Sequence, residues 1–200
     1  MEKGNEGGNE EGREGVFDFA EFFMEKFSER KVDDYMNYKI HKHGFTWQIS
    51  PTKNTHENKV TSTMRALCRE FEQNYEKKFD DICRTCASVD TNSDNYMNIL
   101  SELVDGEPTW GRVVAIFAFA GALAVYRLEQ GHEKDVDMIR EWTCSFMHKH
   151  VDDWIAKEGG WKGLVKFYEQ LQERRMGGWW SIIVVVIGAV CLEALSVIRR

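Results

Sequence analysis

The residue with the clearest chemical potential in this sequence is Arg112, which stands at the start of an apolar segment. It follows Trp110 and Gly111, and residues 113–126 after it contain no charged side chain. A guanidinium stays charged and can hold a carboxylate through two parallel hydrogen bonds. Because a helix N-terminus already carries partial positive charge, helix stability does not explain an arginine there. The position therefore needs another explanation, and pairing with a carboxylate elsewhere in this chain is one.

Other potential reactive or metal-binding groups do not form a site. Cys83 and Cys86 have the spacing of a metal-binding pair, but no second pair lies at a matching distance. The two His-Lys-His triplets, at 41–43 and 148–150, place imidazoles two residues apart, which on a helix directs them to different faces. No nucleophile elbow or phosphate-binding glycine loop occurs. We predict no metal site, no cofactor and no enzymatic activity.

Composition favours one helical domain in a reducing compartment. The 200 residues contain only two prolines, which favours long helices, and the net charge of −7 argues against a nucleic-acid-binding protein. Five cysteines are an odd number, and residues 1–15 lack the apolar core of a secretion signal, so free thiols are expected. Residues 1–15 are rich in Gly, Glu and Asn and are expected to form a disordered arm.

Apolar periodicity predicts an all-α fold around one buried helix. The clearest stripe has steps of three and four residues, as on one face of a helix; it comprises Val60, Met64, Leu67, Phe71, Tyr75, Phe79 and Ile82. Residues 113–126 are apolar on every side, and fourteen residues are too few to cross a bilayer, so they are expected at the centre of a bundle. Further helices are expected at 17–30, 31–47, 97–104, 136–155 and 161–171.

Turn residues and charges predict where these helices end. Gly44, the polar segment 88–95, Asp105-Gly106 and 158–160 are expected to separate the helices, and a loop is expected around Ser50-Pro51. The scattered acidic residues are expected on solvated helix faces, near basic residues one turn away.

The C-terminal segment has the composition of a membrane anchor. Residues 179–192 are fourteen apolar or small residues in a row, and Arg174 and Arg175 precede them. Glu193 argues against a spanning helix, although near the last turn its side chain can reach the interface. We predict a transmembrane anchor at 177–198; the alternative is a helix docked in a groove of its own protein.

Four segments resemble the homology motifs of the Bcl-2 family of apoptosis regulators. ELVDGEPTWGRVVAIFAFAGAL, at 102–123, resembles the first motif, and WIAKEGGWKGLVKFYE, at 154–169, the second. MRALCREFEQNYEKKFDDI, at 64–82, resembles the third, and VDDYMNYKIHKHGFTW, at 32–47, the fourth. The resemblance implies a domain at 16–175 folded as a bundle of about eight helices around a hydrophobic central helix; residues 16–30 have no assigned counterpart.

The activity implied by this resemblance is the binding of a partner helix in an apolar groove. Partner helices in the family carry an aspartate that Arg112 would bind, and Gly111 would let the partner backbone approach closely. The implied groove residues are Phe71, Tyr75, Phe79, Ile82, Leu103, Thr109, Gly111, Arg112, Val114, Ala115, Phe119 and Tyr168.

Two departures from the family pattern bear on the type of member. Thr109 replaces the usual Asn before Trp-Gly-Arg, and Cys68-Arg69 replaces the usual Gly-Asp of the third motif. Without that aspartate, the third motif should bind poorly to the groove arginine of another family member. The resemblance therefore implies a pro-survival regulator that sequesters pro-death relatives and so inhibits permeabilisation of the mitochondrial outer membrane.

This member would be tail-anchored in the mitochondrial outer membrane or the endoplasmic reticulum, and it could form homo- or hetero-dimers. Two alternatives are a pore-forming pro-death member of the family and a membrane-tethered adaptor whose groove is filled by its own tail.

Overall fold

The part of the chain described by a computed structural model comprises residues 11–47, 58–88, 92–104 and 106–175. The prediction of an all-α fold is confirmed, because these residues form seven helices and no strand. The helices are α1 (Glu11–Lys42), α2 (Lys59–Ser88), α3 (Ser93–Leu103), α4 (Trp110–Glu129), α5 (Lys134–His150), α6 (Asp152–Lys157) and α7 (Lys162–Arg175). The predicted anchor at 177–198 and the loop around Ser50-Pro51 lie outside the described residues.

Helix α4 is the centre of the bundle and contacts α1, α2, α3 and α5. It extends three residues further at each end than the predicted 113–126. Its 20 residues make it the one helix in the described ranges that is long and apolar enough to cross a membrane. The length argument made from the sequence was therefore wrong. Burial identifies α4 as the core helix instead, since Ile116, Phe117 and Ala118 are almost completely inaccessible to solvent.

Helix α1 is longer and less interrupted than the sequence suggests. It begins at Glu11, inside the segment expected to be a disordered arm, and continues through both predicted helices to Lys42. No Gly or Pro occurs between residues 16 and 43, so nothing in the backbone forces a break there. The predicted end is confirmed at Gly44, whose φ of 83° lies in the left-handed region that glycine adopts without strain.

Two predicted boundaries were wrong. The loop expected at 88–95 is shorter, because α2 reaches Ser88 and α3 begins at Ser93, where the side-chain oxygen of Asn92 accepts a hydrogen bond from the Asn95 N–H at 2.9 Å. The helix expected over 136–155 is divided into α5 and α6 at Val151, whose φ of −127° departs from helical geometry.

The acidic residues were expected to pair with basic residues one turn away on the same helix. Several of them instead pair with a basic residue on another helix. Such pairs join α1 to α2, α1 to α5, and α2 to α7. They are Asp34–Arg65 at 2.9 Å, Lys39–Glu72 at 2.6 Å, Asp33–Arg140 at 2.6 Å and Lys59–Glu169 at 2.5 Å. These contacts hold α1, α2 and α5 around α4 and so fix the surroundings of the predicted groove.

Candidate functional site

The third-motif helix α2 lies with its apolar face against the core helix. Met64, Leu67 and Phe71 are each less than a tenth exposed. Cys68 is completely buried, and its Sγ lies 3.7 Å from the carbonyl oxygen of Val114 on α4. Burial raises the pKa of the Cys68 thiol well above its ordinary value, so this thiol stays neutral. The small side chain at this position lets α2 approach the α4 backbone.

The second half of the predicted stripe continues along the same helix. Tyr75, Phe79 and Ile82 lie within the α2 backbone. Their side chains are outside the described part of the structure, so their assignment to the groove stays a prediction.

The first turn of α4 is fixed by Thr109. The Thr109 side-chain Oγ1 accepts a hydrogen bond from the Arg112 backbone N–H at 3.3 Å, and the Thr109 carbonyl accepts one from Val113 at 3.0 Å. Thr109 is thus the N-cap of α4, with extended backbone angles. A threonine directly before an apolar helical segment is a recognised start signal, so this role could have been predicted from the sequence.

The guanidinium of Arg112 lies over the turn that precedes α4. Its Nη1 donates a hydrogen bond to the carbonyl oxygen of Glu107 at 2.5 Å. A Cβ atom added to Gly106 would lie 3.5 Å from Nη1 and 4.0 Å from Nη2 of the same guanidinium. Arg112 is partly exposed, and among the residues that the structure describes no carboxylate pairs with it. Its charge is therefore solvated at the edge of the core.

Most of the predicted apolar floor is brought together, but as part of the core. Leu103, Val114, Ala115 and Phe119 are at most 4% exposed. The ring of Phe119 stacks on Tyr96 of α3, with ring centroids 5.6 Å apart. Gly111 is also buried in the first turn of α4. Leu103, Val114, Ala115 and Phe119 belong to one apolar core cluster along the first half of α4. Thr109 is exposed and Arg112 is half-buried at the N-terminal end of the same helix.

Tyr168, the predicted groove residue on α7, is half-buried and lines an open cleft between α2 and α7. The cleft has a volume of about 550 Å³ and is lined by Lys59, Ser62, Thr63, Ala66, Tyr168, Glu169, Gln172 and Glu173. The α2 side of this cleft is not predictable from the sequence, since its polar and small residues carry no periodic signal that separates them from a solvated surface.

The start of α7 is held against the start of α4. A Cβ atom at Gly163 would lie 2.8 Å from the Trp110 ring, and the rings of Trp110 and Trp161 have centroids 6.0 Å apart. Because Trp110 is two residues before Arg112, this contact joins the helix of Tyr168 to the turn that carries the arginine.

Comparisons with known proteins agree with this architecture. Residues 64–161 match the model of the Bcl-2 family of apoptosis regulator proteins. The chain is 28% identical over 173 residues to Apoptosis regulator R1 of Xenopus laevis, a match that covers 84% of this chain and 75% of that protein. It is also 28% identical over 144 residues to human Bcl-2-like protein 1, which covers 68% of this chain and 62% of that protein's length.

The fold has solved counterparts. The crystal structure of Trichoplax adhaerens trBcl-2L2 bound to trBak BH3 superposes with a TM-score of 0.64 at 20% identity, over 74% of this chain and 99% of that chain. At this identity the likeness concerns the fold alone. Together with the matched family model and the homology to R1 and Bcl-2-like protein 1, it agrees with the four motifs in the sequence. The chain therefore contains a domain of the Bcl-2 family of apoptosis regulator proteins at residues 64–161 and is homologous to Bcl-2-like proteins.

Proposed function

We propose that this protein is a pro-survival family member that captures the amphipathic helices of pro-death relatives and so inhibits permeabilisation of the mitochondrial outer membrane. The observation that carries the proposal is the state of Arg112. It is a permanently charged group beside an apolar layer, bonded to a main-chain carbonyl and to no described carboxylate. An aspartate of a partner helix would supply the carboxylate that Arg112 lacks among the described residues.

The binding energy would come mainly from apolar burial. Burial contributes about 25 cal/mol per Å² of apolar surface, while a rim ion pair acts more on register and specificity than on affinity. Phe71, Leu103, Val114 and Phe119 supply the apolar layer. Tyr168 lies in the cleft between α2 and α7, whose lining includes none of these four residues. Because several of these residues are buried in the free protein, binding requires a small separation of α2 or α3 from α4.

The pro-survival assignment rests on α2. Arg69 is exposed at the position where the family usually has an aspartate, so this helix lacks the carboxylate that a groove arginine would bind. Its apolar residues are buried, and its Arg65 and Glu72 side chains pair with α1. These features fit a protein that binds partner helices better than one whose own α2 is bound in the groove of a relative. The known complex of trBcl-2L2 with trBak BH3 provides a precedent for such a partner on this fold.

Residues 177–198 would anchor the protein in the mitochondrial outer membrane or the endoplasmic reticulum, with the helical domain on the cytosolic side. Their length and the flanking arginines support this part of the proposal. Anchoring would place the groove where pro-death relatives act.

The test is a titration of the full-length chain with fluorescent trBak BH3 helix and with the same helix after its groove-facing aspartate is changed to asparagine. We expect sub-micromolar binding of the first helix. A hydrogen bond to a charged group contributes about 1.5–3 kcal/mol, so the asparagine helix, or the Arg112→Ala variant, should bind about 10- to 100-fold more weakly. Arg30→Ala, which removes an exposed arginine of α1, is the matched control and should bind normally.

Equal affinity of both helices for all three proteins would remove Arg112 from the mechanism. Absence of binding by a correctly folded protein would refute helix capture. The pore-forming alternative predicts a different result, since the purified protein alone would then release dye from liposomes, which a pro-survival receptor should not do.

A further inference from the structure

We propose that the turn before α4 determines which edge of the Arg112 guanidinium a carboxylate can reach, and that Gly106 is the positioning residue that makes this possible. The inference rests on the proposed function, in which Arg112 binds the aspartate of a partner helix. It adds the geometry of that contact and a residue that controls it.

A guanidinium has two edges at which it can hold a carboxylate with parallel hydrogen bonds. One edge is formed by the two terminal Nη atoms, and the other by Nε and Nη2. In Arg112 the terminal edge faces the turn. Nη1 lies 2.5 Å from the Glu107 carbonyl oxygen, and both Nη atoms lie within 4.0 Å of the place where a Gly106 side chain would begin.

The second edge is available to a ligand. Within the described part of the chain, Nε of Arg112 has no acceptor, and its side chain is partly exposed. A carboxylate at the terminal edge would share Nη1 with the Glu107 carbonyl and would lie beside Gly106, whereas one that approaches Nε and Nη2 would leave the Nη1 bond undisturbed. The partner aspartate therefore meets Arg112 from the side, through Nε and Nη2.

Gly106 and Thr109 hold this arrangement from two directions. Gly106 has a φ of 85°, which residues other than glycine rarely adopt. This conformation directs the chain so that the Glu107 carbonyl oxygen lies at Nη1 of Arg112. Thr109 fixes the backbone of Arg112 through its 3.3 Å cap. Since the guanidinium is already oriented, less side-chain freedom is lost on binding. Loss of this orientation should weaken the aspartate contact about three- to tenfold.

The direct test is the Nε–H resonance of Arg112 in the full-length chain labelled with ¹⁵N-arginine, identified by its loss in the Arg112→Lys variant. Addition of the trBak BH3 helix should move this proton resonance downfield, and addition of its asparagine variant should not. If the aspartate helix binds more tightly than the asparagine helix but the Nε–H resonance does not move, side-on binding is overturned and the proposed function stands. If the two helices bind equally, both fail.

The role of Gly106 is tested with Gly106→Val and a matched control. Gly131, in the turn after α4, has a similar φ of 79° but no atom within 4 Å of its would-be Cβ. Gly131→Val therefore introduces the same backbone strain at a distance from Arg112. We expect Gly106→Val to reduce the preference for aspartate over asparagine about three- to tenfold and Gly131→Val to leave it unchanged. An unchanged preference in Gly106→Val, or an equal loss in both variants, would overturn the assignment.

Discussion

The contact between Lys39 and Glu72 should be a principal tie between the fourth-motif helix α1 and the third-motif helix α2. The Lys39 Nζ lies 2.6 Å from one carboxylate oxygen of Glu72, and the Tyr35 hydroxyl donates to the other at 3.0 Å. The two charged side chains are only 10% and 19% exposed. Changing Glu72 to Gln keeps the shape and an acceptor for Tyr35, but it leaves the lysine charge without its partner.

The magnitude follows from distance and burial. At 2.6 Å and an effective dielectric constant of 20, the attraction is about 6 kcal/mol before desolvation is subtracted. Removal of one member of a buried pair destabilises proteins by about 3–5 kcal/mol. Because part of the lysine still reaches water, we expect Glu72→Gln to lower the free energy of unfolding by about 2–3 kcal/mol. For a domain of this size that corresponds to a decrease in Tm of about 5–10 °C.

The measurement is a double-mutant cycle by thermal and denaturant unfolding. In Lys39→Met/Glu72→Gln the unpaired charge is removed, so the double variant should be more stable than Glu72→Gln alone. The exposed pair Lys59–Glu169, with side chains 71% and 52% exposed, is the control, and Glu169→Gln should change stability by less than about 1 kcal/mol. If the double variant loses as much stability as the sum of the two single variants, the pair has no coupling and the reasoning is refuted.

Three further predictions concern stability. Burial raises the pKa of Cys144 from 9.0 to about 12. Between these pH values the unfolded chain loses a proton that the folded chain keeps, so the free energy of unfolding falls as the pH rises. Cys144→Ala should therefore reduce the fall in Tm above pH 9. Gly121→Ala would place a Cβ 2.9 Å from the Tyr35 ring and should cost about 1–3 kcal/mol, measured by urea unfolding; an unchanged midpoint would contradict the close contact. Thr109→Ala should cost about 1 kcal/mol through loss of the α4 cap, whereas Thr109→Asn should not.

The sequence predicts best where one helix face decides the structure. The stripe from Val60 to Phe71 and the uncharged segment after Arg112 identify α2 and α4, because apolar residues at helical spacing have only one way to become buried. Helix ends at Gly44 and around Gly159 are predicted equally well, since their positive φ values suit glycine.

Contacts between distant residues could not be predicted in this way. The pairing of Asp34 with Arg65 depends on how α1 lies against α2, and both residues read as solvated charges when each helix is considered alone. The bond from Arg112 to the Glu107 carbonyl depends on the shape of a short turn, which composition does not determine. The site is therefore predictable as a set of residue types, whereas the orientation of its arginine is not.

The packing of α2 supports the proposal that this helix lines the groove and is not itself bound by another family member. To be bound by another protein, α2 would have to expose Met64, Leu67 and Phe71, which at about 1.5–3 kcal/mol for each buried side chain requires roughly 5–9 kcal/mol. Its two ion pairs with α1 would also have to break. That sum approaches the total stability of a typical domain, about 5–15 kcal/mol. Under the proposed function, capture of a partner helix by separation of α3 from α4 would leave Met64, Leu67 and both of these ion pairs in place. It would therefore require less rearrangement than release of α2, and this difference supports the proposed receptor over the pore-forming alternative.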